Sequence, residues 1–132
     1  MGIQTLVAGG PETRERVVGL LEASGGYTVV AEAENGVRAV QLAEHHQPDL
    51  VVIEAELPEL GGIEATAPIR SRVPDSTIVV LTRQAGGRLA IRAGADGCIP
   101  VESDDAAIIA AVQDALSLRL RGHSSTTAMN GH

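Results

Sequence analysis

The chain has no lysine, phenylalanine or tryptophan, and Tyr27 is its one aromatic residue. Its ten basic residues are all arginine, set against seventeen acids, for a net charge of -7. Without lysine, Schiff-base and lysine-base chemistry are excluded. With a single aromatic ring there is no platform on which the bases of a single strand could stack, and the acidic balance opposes a surface that neutralises duplex phosphates. The lone cysteine, Cys98, allows no internal disulfide and gives no metal-ligand spacing, as befits a reducing compartment. No apolar run approaches the roughly 18 residues of a membrane span, and the run within MGIQTLVAGGPETR is too short for a signal peptide. These absences predict a soluble, cytoplasmic domain with neither nucleic acid nor membrane as its partner.

What is present is an alternation of apolar runs and amphipathic segments over 132 residues, the length of one domain, with a core that must be built from Val, Ile, Leu and Ala. Ile3 to Ala8 reads as a buried strand ended by Gly9, Gly10 and Pro11. Glu12 to Ser24 places Val17, Leu20, Leu21 and Ser24 at helical spacing, and Gly25-Gly26 stops it. Thr28 to Ala33 is a second strand. Asn35 is suited to cap a helix running to about His46, with Val37, Val40 and Ala43 inward. Leu50 to Ile53 is a fully apolar third strand, of the kind found in parallel sheets covered on both faces.

The second half repeats the pattern. Ile63 to Val73 predicts a helix that Pro68 kinks, or one that starts late with Thr66 as its cap. Thr77 to Thr82 is a fourth strand, Arg88 to Ala93 a short helix ended by Gly94, and Cys98 to Val101 a fifth strand. Pro100 suits that strand only at a sheet edge. Ser103 is the expected cap of a last helix striped by Ile108, Ile109, Val112, Leu116 and Leu120. After Gly122 the sequence is small, polar and aperiodic, so residues 1–121 are read as the domain and 122–132 as a flexible tail or the start of a linker.

The stretch DLVVIEAELPELGG sets a carboxylate, Glu54, at the end of an apolar strand, where ligands of open parallel sheets sit. This stretch resembles the phosphoacceptor strand and following loop of the receiver domains of two-component response regulators. The resemblance extends from about Ile3 to Leu120 through LVAGGPETRERVVGLLE, VVAEAENGVRAVQLAEHHQPDLVVIE, LPELGGIEA, IVVLT and AIRAGADGCIP, in family order. It implies an α/β fold, a five-stranded parallel sheet of order 2-1-3-4-5 in a flavodoxin-like three-layer sandwich. It also implies an atypical, divergent member, because the positions that carry phosphorelay chemistry differ. Where the family has an acidic pair that holds Mg²⁺, this chain has Ala8 and Gly9. Glu54 stands at the phosphoacceptor Asp position, Cys98 at the switch aromatic and Val101 at the phosphate-binding Lys. Thr82 alone keeps its family type, a hydroxyl. Mg²⁺ binding is therefore expected to be lost or very weak. Beside the family spacing, the interval from Thr82 to Ala93 is about three residues short, close to one helical turn.

Each candidate residue has a functional reading and a plainer one. Glu54 would reach about where a phosphoryl group sits and accept from Thr82, with Arg83 folding over it as a substitute cation; the plainer reading is a buried Glu that switches nothing. Ala8-Gly9-Gly10-Pro11 precedes a helix whose free amides favour a small anion or metabolite, or is simply a tight turn. Cys98 is either a redox sensor or a small buried hydrophobe. His45, His46, His123 and His132 have no ligand spacing. Glu56 and Glu59 read as solvated loop charges. The resulting expectation is a bacterial pseudo-receiver, not an enzyme, signalling by phosphorylation-independent protein contacts and suited to form a homodimer. By family analogy, docking would use the fourth helix, fifth strand and fifth helix, or the first and fifth helices. The alternatives are the amino-terminal regulatory half of a helix-turn-helix transcription factor, and a receiver-like domain that senses a small ligand in the emptied acidic pocket.

Overall fold

The structure, a computed structural model, describes residues 2–83 and 87–130, with side chains described through residue 119. The elements alternate strictly: β1 (Ile3–Ala8), α1 (Pro11–Ser24), β2 (Tyr27–Ala33), α2 (Gly36–His46), β3 (Leu50–Glu54), α3 (Gly62–Arg72), β4 (Thr77–Thr82), α4 (Gly87–Ala93), β5 (Gly97–Pro100) and α5 (Asp105–Asn130). All the strand pairs are parallel, in the order β2-β1-β3-β4-β5. The expected three-layer α/β sandwich is thus the observed one.

Strand alternation builds both outer layers from the same short runs. Leu6, Val51, Ile53, Ile78 and Val80 face α2, α3 and α4, meeting Ala39, Val40, Ala43, Ala65, Ile69 and Ala90. Val7, Leu50, Val52, Val79 and Leu81 face the other way, against Val17 and Leu21 of α1 and Val112 and Ala115 of α5. Every residue of β3 and β4 is buried. That is why these strands read as unbroken apolar runs rather than alternating ones. The sheet's open edges are β2 and β5, and Pro100 lies on β5 beside Thr82 without a ladder amide to lose.

Local details depart from the sequence reading at several helices. On α1 the buried positions are Thr13, Val17 and Leu21, a single four-residue repeat, so Leu20 is only half-buried and Ser24 is exposed. On α2 the Asn35 cap forms, its side chain accepting from the Arg38 amide at 2.8 Å. Ala39 is buried there in place of Val37, which is 43% exposed. The third helix does not start late: it runs through Pro68, and Thr66 lies buried inside it, donating to the Gly62 carbonyl at 2.7 Å. The cap of α5 is Asp104 rather than Ser103, because Asp104 immediately precedes the first helical residue and its carboxylate reaches the Ala107 amide at 2.8 Å. The backbone of α5 continues to Asn130, past the point where the sequence suggests a tail. One glycine costs a helix only about 1 kcal/mol, and no proline follows Gly122 to end it. The side chains of Leu120 and His123, and all of His132, lie outside the described residues.

Two close backbone approaches fix the loops at the carboxyl end of the sheet. A Cβ on Gly62 would sit 2.3 Å from the Glu54 carbonyl oxygen, and one on Gly36 would sit 2.0 Å from that of Leu60. Only glycine lets the starts of α3 and α2 press onto the β3–α3 loop this closely.

At the opposite end, one arginine ties four segments. Arg70 of α3 donates to the carbonyls of Pro74, Ser76 and Gly94 and, at 2.6 Å, to Asp96 Oδ2, which also accepts the Ile78 amide. Both side chains of the pair are largely buried. Replacing Arg70 with Met is expected to lower the unfolding free energy by about 2–4 kcal/mol, since Asp96 keeps its burial and loses its close cation. Urea denaturation would measure this, and a loss below about 1 kcal/mol would show that Arg119, 3.8 Å from Asp96, suffices as its partner.

Candidate functional site

At the carboxyl end of the sheet, β1, β3 and β4 bring together the residues singled out from the sequence. Ala8 ends β1 and is buried, and Gly9 and Gly10 follow it into α1. Glu54 ends β3 with only 3% of its surface exposed. A buried carboxylate needs compensating partners, and this one has two. Its Oε1 accepts the Gly10 amide at 3.0 Å, and its Oε2 accepts Arg83 Nε at 3.2 Å, with Arg83 Nη2 at 3.1 Å. Arg83 itself is about half exposed and lies over the carboxylate from the end of β4.

The small residues after β1 are matched to this long side chain. A Cβ on Gly9 would come within 3.2 Å of Glu54 Oε1 and 3.3 Å of Thr13, tighter than ordinary contact. The space beside Gly9 is therefore taken by the Glu54 carboxylate.

The Thr82 hydroxyl donates to Glu56 Oε2 at 2.9 Å, not to Glu54 as the sequence suggests, and the Arg83 amide donates to Glu56 Oε1 at 2.9 Å. The reading of Glu56 as a solvated charge is corrected with it: the side chain is exposed but doubly engaged. No pattern in the sequence marks that role, because the contact exists only once β3 and β4 lie side by side.

Two positions point away from chemistry. Cys98 is half-buried opposite Val80 and packs on the core beneath α4. Burial, and secondarily the charge of Glu56, push its thiol up from the ordinary value. A reactive redox sensor needs the opposite shift. Val101 is buried in the other core, and its amide donates to the Thr82 carbonyl at 2.9 Å. Its own carbonyl accepts Arg16 Nη1 at 2.8 Å, and the same guanidinium binds Ser103 and Asp105. Arg16 thus fastens α1 to the loop after β5, a tie that only the tertiary structure reveals. A cleft of about 520 Å³ lies elsewhere, lined by residues of α1 and by Glu32 of β2; none of Glu54, Thr82 and Arg83 borders it. His45 and His46 stack edge to face at the end of α2 and join no cluster of metal-ligating side chains among the described residues. No helix among those residues is long and apolar enough to cross a membrane.

Known proteins share this framework. The chain is 33% identical over 94 residues to the chemotaxis protein CheY of Halobacterium salinarum, covering 69% of this chain and 78% of that protein. It is 33% identical over 103 residues to the transcriptional regulatory protein DegU of Brevibacillus brevis, covering 76% of this chain and 44% of that one. The chain therefore spans less than half the length of DegU, and 41% of that of a Pseudomonas aeruginosa relative. Among solved structures, a two-component response regulator of the LuxR family from Aurantimonas sp. superimposes with a TM-score of 0.81 at 34% identity, over 89% of this chain and 86% of that one. The model of the response regulator receiver domain matches residues 6–113, from within β1 into α5. With the family pattern running through all five strands, and the sheet order in agreement, this chain belongs to the response regulator receiver domain family.

Proposed function

We propose that this receiver domain is an atypical one that signals through protein contacts without phosphorylation, because its site is occupied by its own side chains. The observation that carries the reading is the ion pair between buried Glu54 and Arg83. A phosphoacceptor must present a free carboxylate oxygen to the donor, and both oxygens of Glu54 are engaged. The donor set also suits Mg²⁺ poorly. Ala8 and Gly9 offer no side-chain oxygen, and a guanidinium stands where a second positive charge would have to enter. Phosphoryl transfer depends on such metal and cationic groups, so their replacement supports a role as an interaction module rather than an enzyme. The Glu54 carboxylate beside Gly9 likewise favours this reading over a small-ligand pocket at that point.

The partner would be a protein, with a second copy of the chain as one form. Leu89 and Ile91 of α4 and Leu118 of α5 each expose more than half their surface, which supports docking through these helices. A second reading, that the domain is the regulatory half of a transcription factor, is supported by the transcriptional regulator DegU, of which the chain spans 44%. In either case the cytoplasm is the proposed compartment.

An amide-resolved NMR titration with Mg²⁺ and then a small phosphodonor should leave Glu54, Thr82 and β5 unmoved; saturable shifts spreading from Glu54 would overturn the proposal. Arg83→Ala should destabilise the domain by about 1–2 kcal/mol, because it strands a buried carboxylate although the arginine is half exposed. Arg72→Ala provides the contrast. Its 3.5 Å pair with Glu44 is exposed on both sides and should be worth no more than about 0.5 kcal/mol. Equal effects of the two replacements in urea denaturation would remove the special role of Arg83. Finally, the rate of Cys98 alkylation by iodoacetamide should rise with pH through a midpoint above that of free cysteine; a midpoint below it would restore the redox reading.

A further inference from the structure

The cleft of about 520 Å³ beside α1 carries two features that the fold does not use. Arg14, Val18 and Glu22 follow one another at four-residue spacing and so share a face of the helix, with Glu15 and Gly19 on the neighbouring row and Glu32 of β2 in the same lining. Arg14 is part-buried, its Nε is closed off from solvent without an acceptor, and its guanidinium makes no hydrogen bond or ion pair among the described residues. A part-buried cation left without a partner costs stability. Gly19 is the second feature. It sits in the interior of α1, where glycine is less stable than alanine, yet a Cβ added there would meet nothing within 4 Å. No contact inside the domain demands glycine at this position, and its effect is to keep the cleft open.

We propose that this cleft binds a small zwitterion of the basic amino-acid type, with its carboxylate on the Arg14 guanidinium and its cationic groups among Glu15, Glu22 and Glu32. One guanidinium against three carboxylates selects a ligand that carries one negative charge and more than one positive charge. Between Arg14 and Glu22 lie about 12 Å of helix at 1.5 Å per residue, which suits a ligand with opposite charges at its two ends. The volume is that of small-molecule sites, and a guanidinium facing a carboxylate adds geometric selectivity. A simple anion would be repelled by the three carboxylates, and a diamine would leave Arg14 without a partner. The cleft is not bordered by Glu54, Thr82 or Arg83, so the proposal is independent of whether the domain is phosphorylated.

The test is an amide-resolved NMR titration of the full chain with L-arginine as the probe, beside agmatine, the same molecule without its carboxylate. L-Arginine should shift the amides of Val18, Gly19 and Glu32 saturably. Agmatine should bind roughly tenfold more weakly, because the charge-assisted pair with Arg14 is lost. Arg14→Gln should bring L-arginine down to the affinity of agmatine. Gly19→Gln puts a side chain into the cleft and a better helix former into α1, so it should abolish the shifts while raising the melting temperature. Silence with millimolar L-arginine, equal binding of the two probes, or shifts that persist in Gly19→Gln would each overturn the proposal. A fall in the melting temperature of Gly19→Gln would do the same, by showing that the fold itself requires the glycine.

Discussion

A carboxylate with 3% of its surface exposed sits at the end of the central strand, and the arrangement around it follows from that constraint. A charge removed from water must meet donors or a countercharge. The Gly10 amide comes from the start of α1 and the Arg83 guanidinium from the end of β4, so satisfying Glu54 stitches three strands together at one point. The side chain is long, and Gly9, with no Cβ, leaves room for its carboxylate. Gly62, on the other side, lets α3 start directly against the Glu54 backbone.

Two further ties hold the frame around this point. Arg16 joins α1 to the loop after β5, while Arg70 and Asp96 join α3, the start of β4 and the loop after α4 at the far end of the sheet. Both use an arginine on a helix to gather backbone carbonyls of distant loops, a task that suits a planar guanidinium with five donors. In a chain without lysine, arginine is the cation of every ion pair seen among the described residues. The ends of β4 and β5 are thereby held by carboxylates and guanidiniums belonging to the chain itself.

The fold was legible because its signals are local. Unbroken apolar runs at 50–53 and 77–82, helical spacing between them and glycine or proline punctuation led to the observed alternation. The resemblance supplied the sheet order. Helix faces were read less well: Val37 and Ser24 fit a helical repeat on paper but lie outside the arc that the sheet covers. Ser103 has the side chain of a cap, but Asp104 is one residue nearer the helix and takes that role. The partner of the Thr82 hydroxyl was misplaced, since Glu54 ends β3 and Glu56 lies only two residues past it. Which of them meets the hydroxyl depends on the path of the loop through Pro58 and on the register of β3 against β4.

The sequence by itself determined that this is a parallel α/β receiver built without lysine or an aromatic core, and which residue type stands at each site position. The missing lysine and aromatics are composition, the alternation of strands and helices follows from apolar runs and helical spacing, and the receiver assignment with its site positions comes from the resemblance to that family; none of these needs knowledge of distant neighbours. Only the tertiary structure decided that Arg83 meets Glu54, that Glu56 holds Thr82 and the amide after it, and that Arg16 and Arg70 tie distant loops. These pairings join residues 4 to 89 positions apart, and they arise from strand register and loop closure, which no local pattern in the chain encodes.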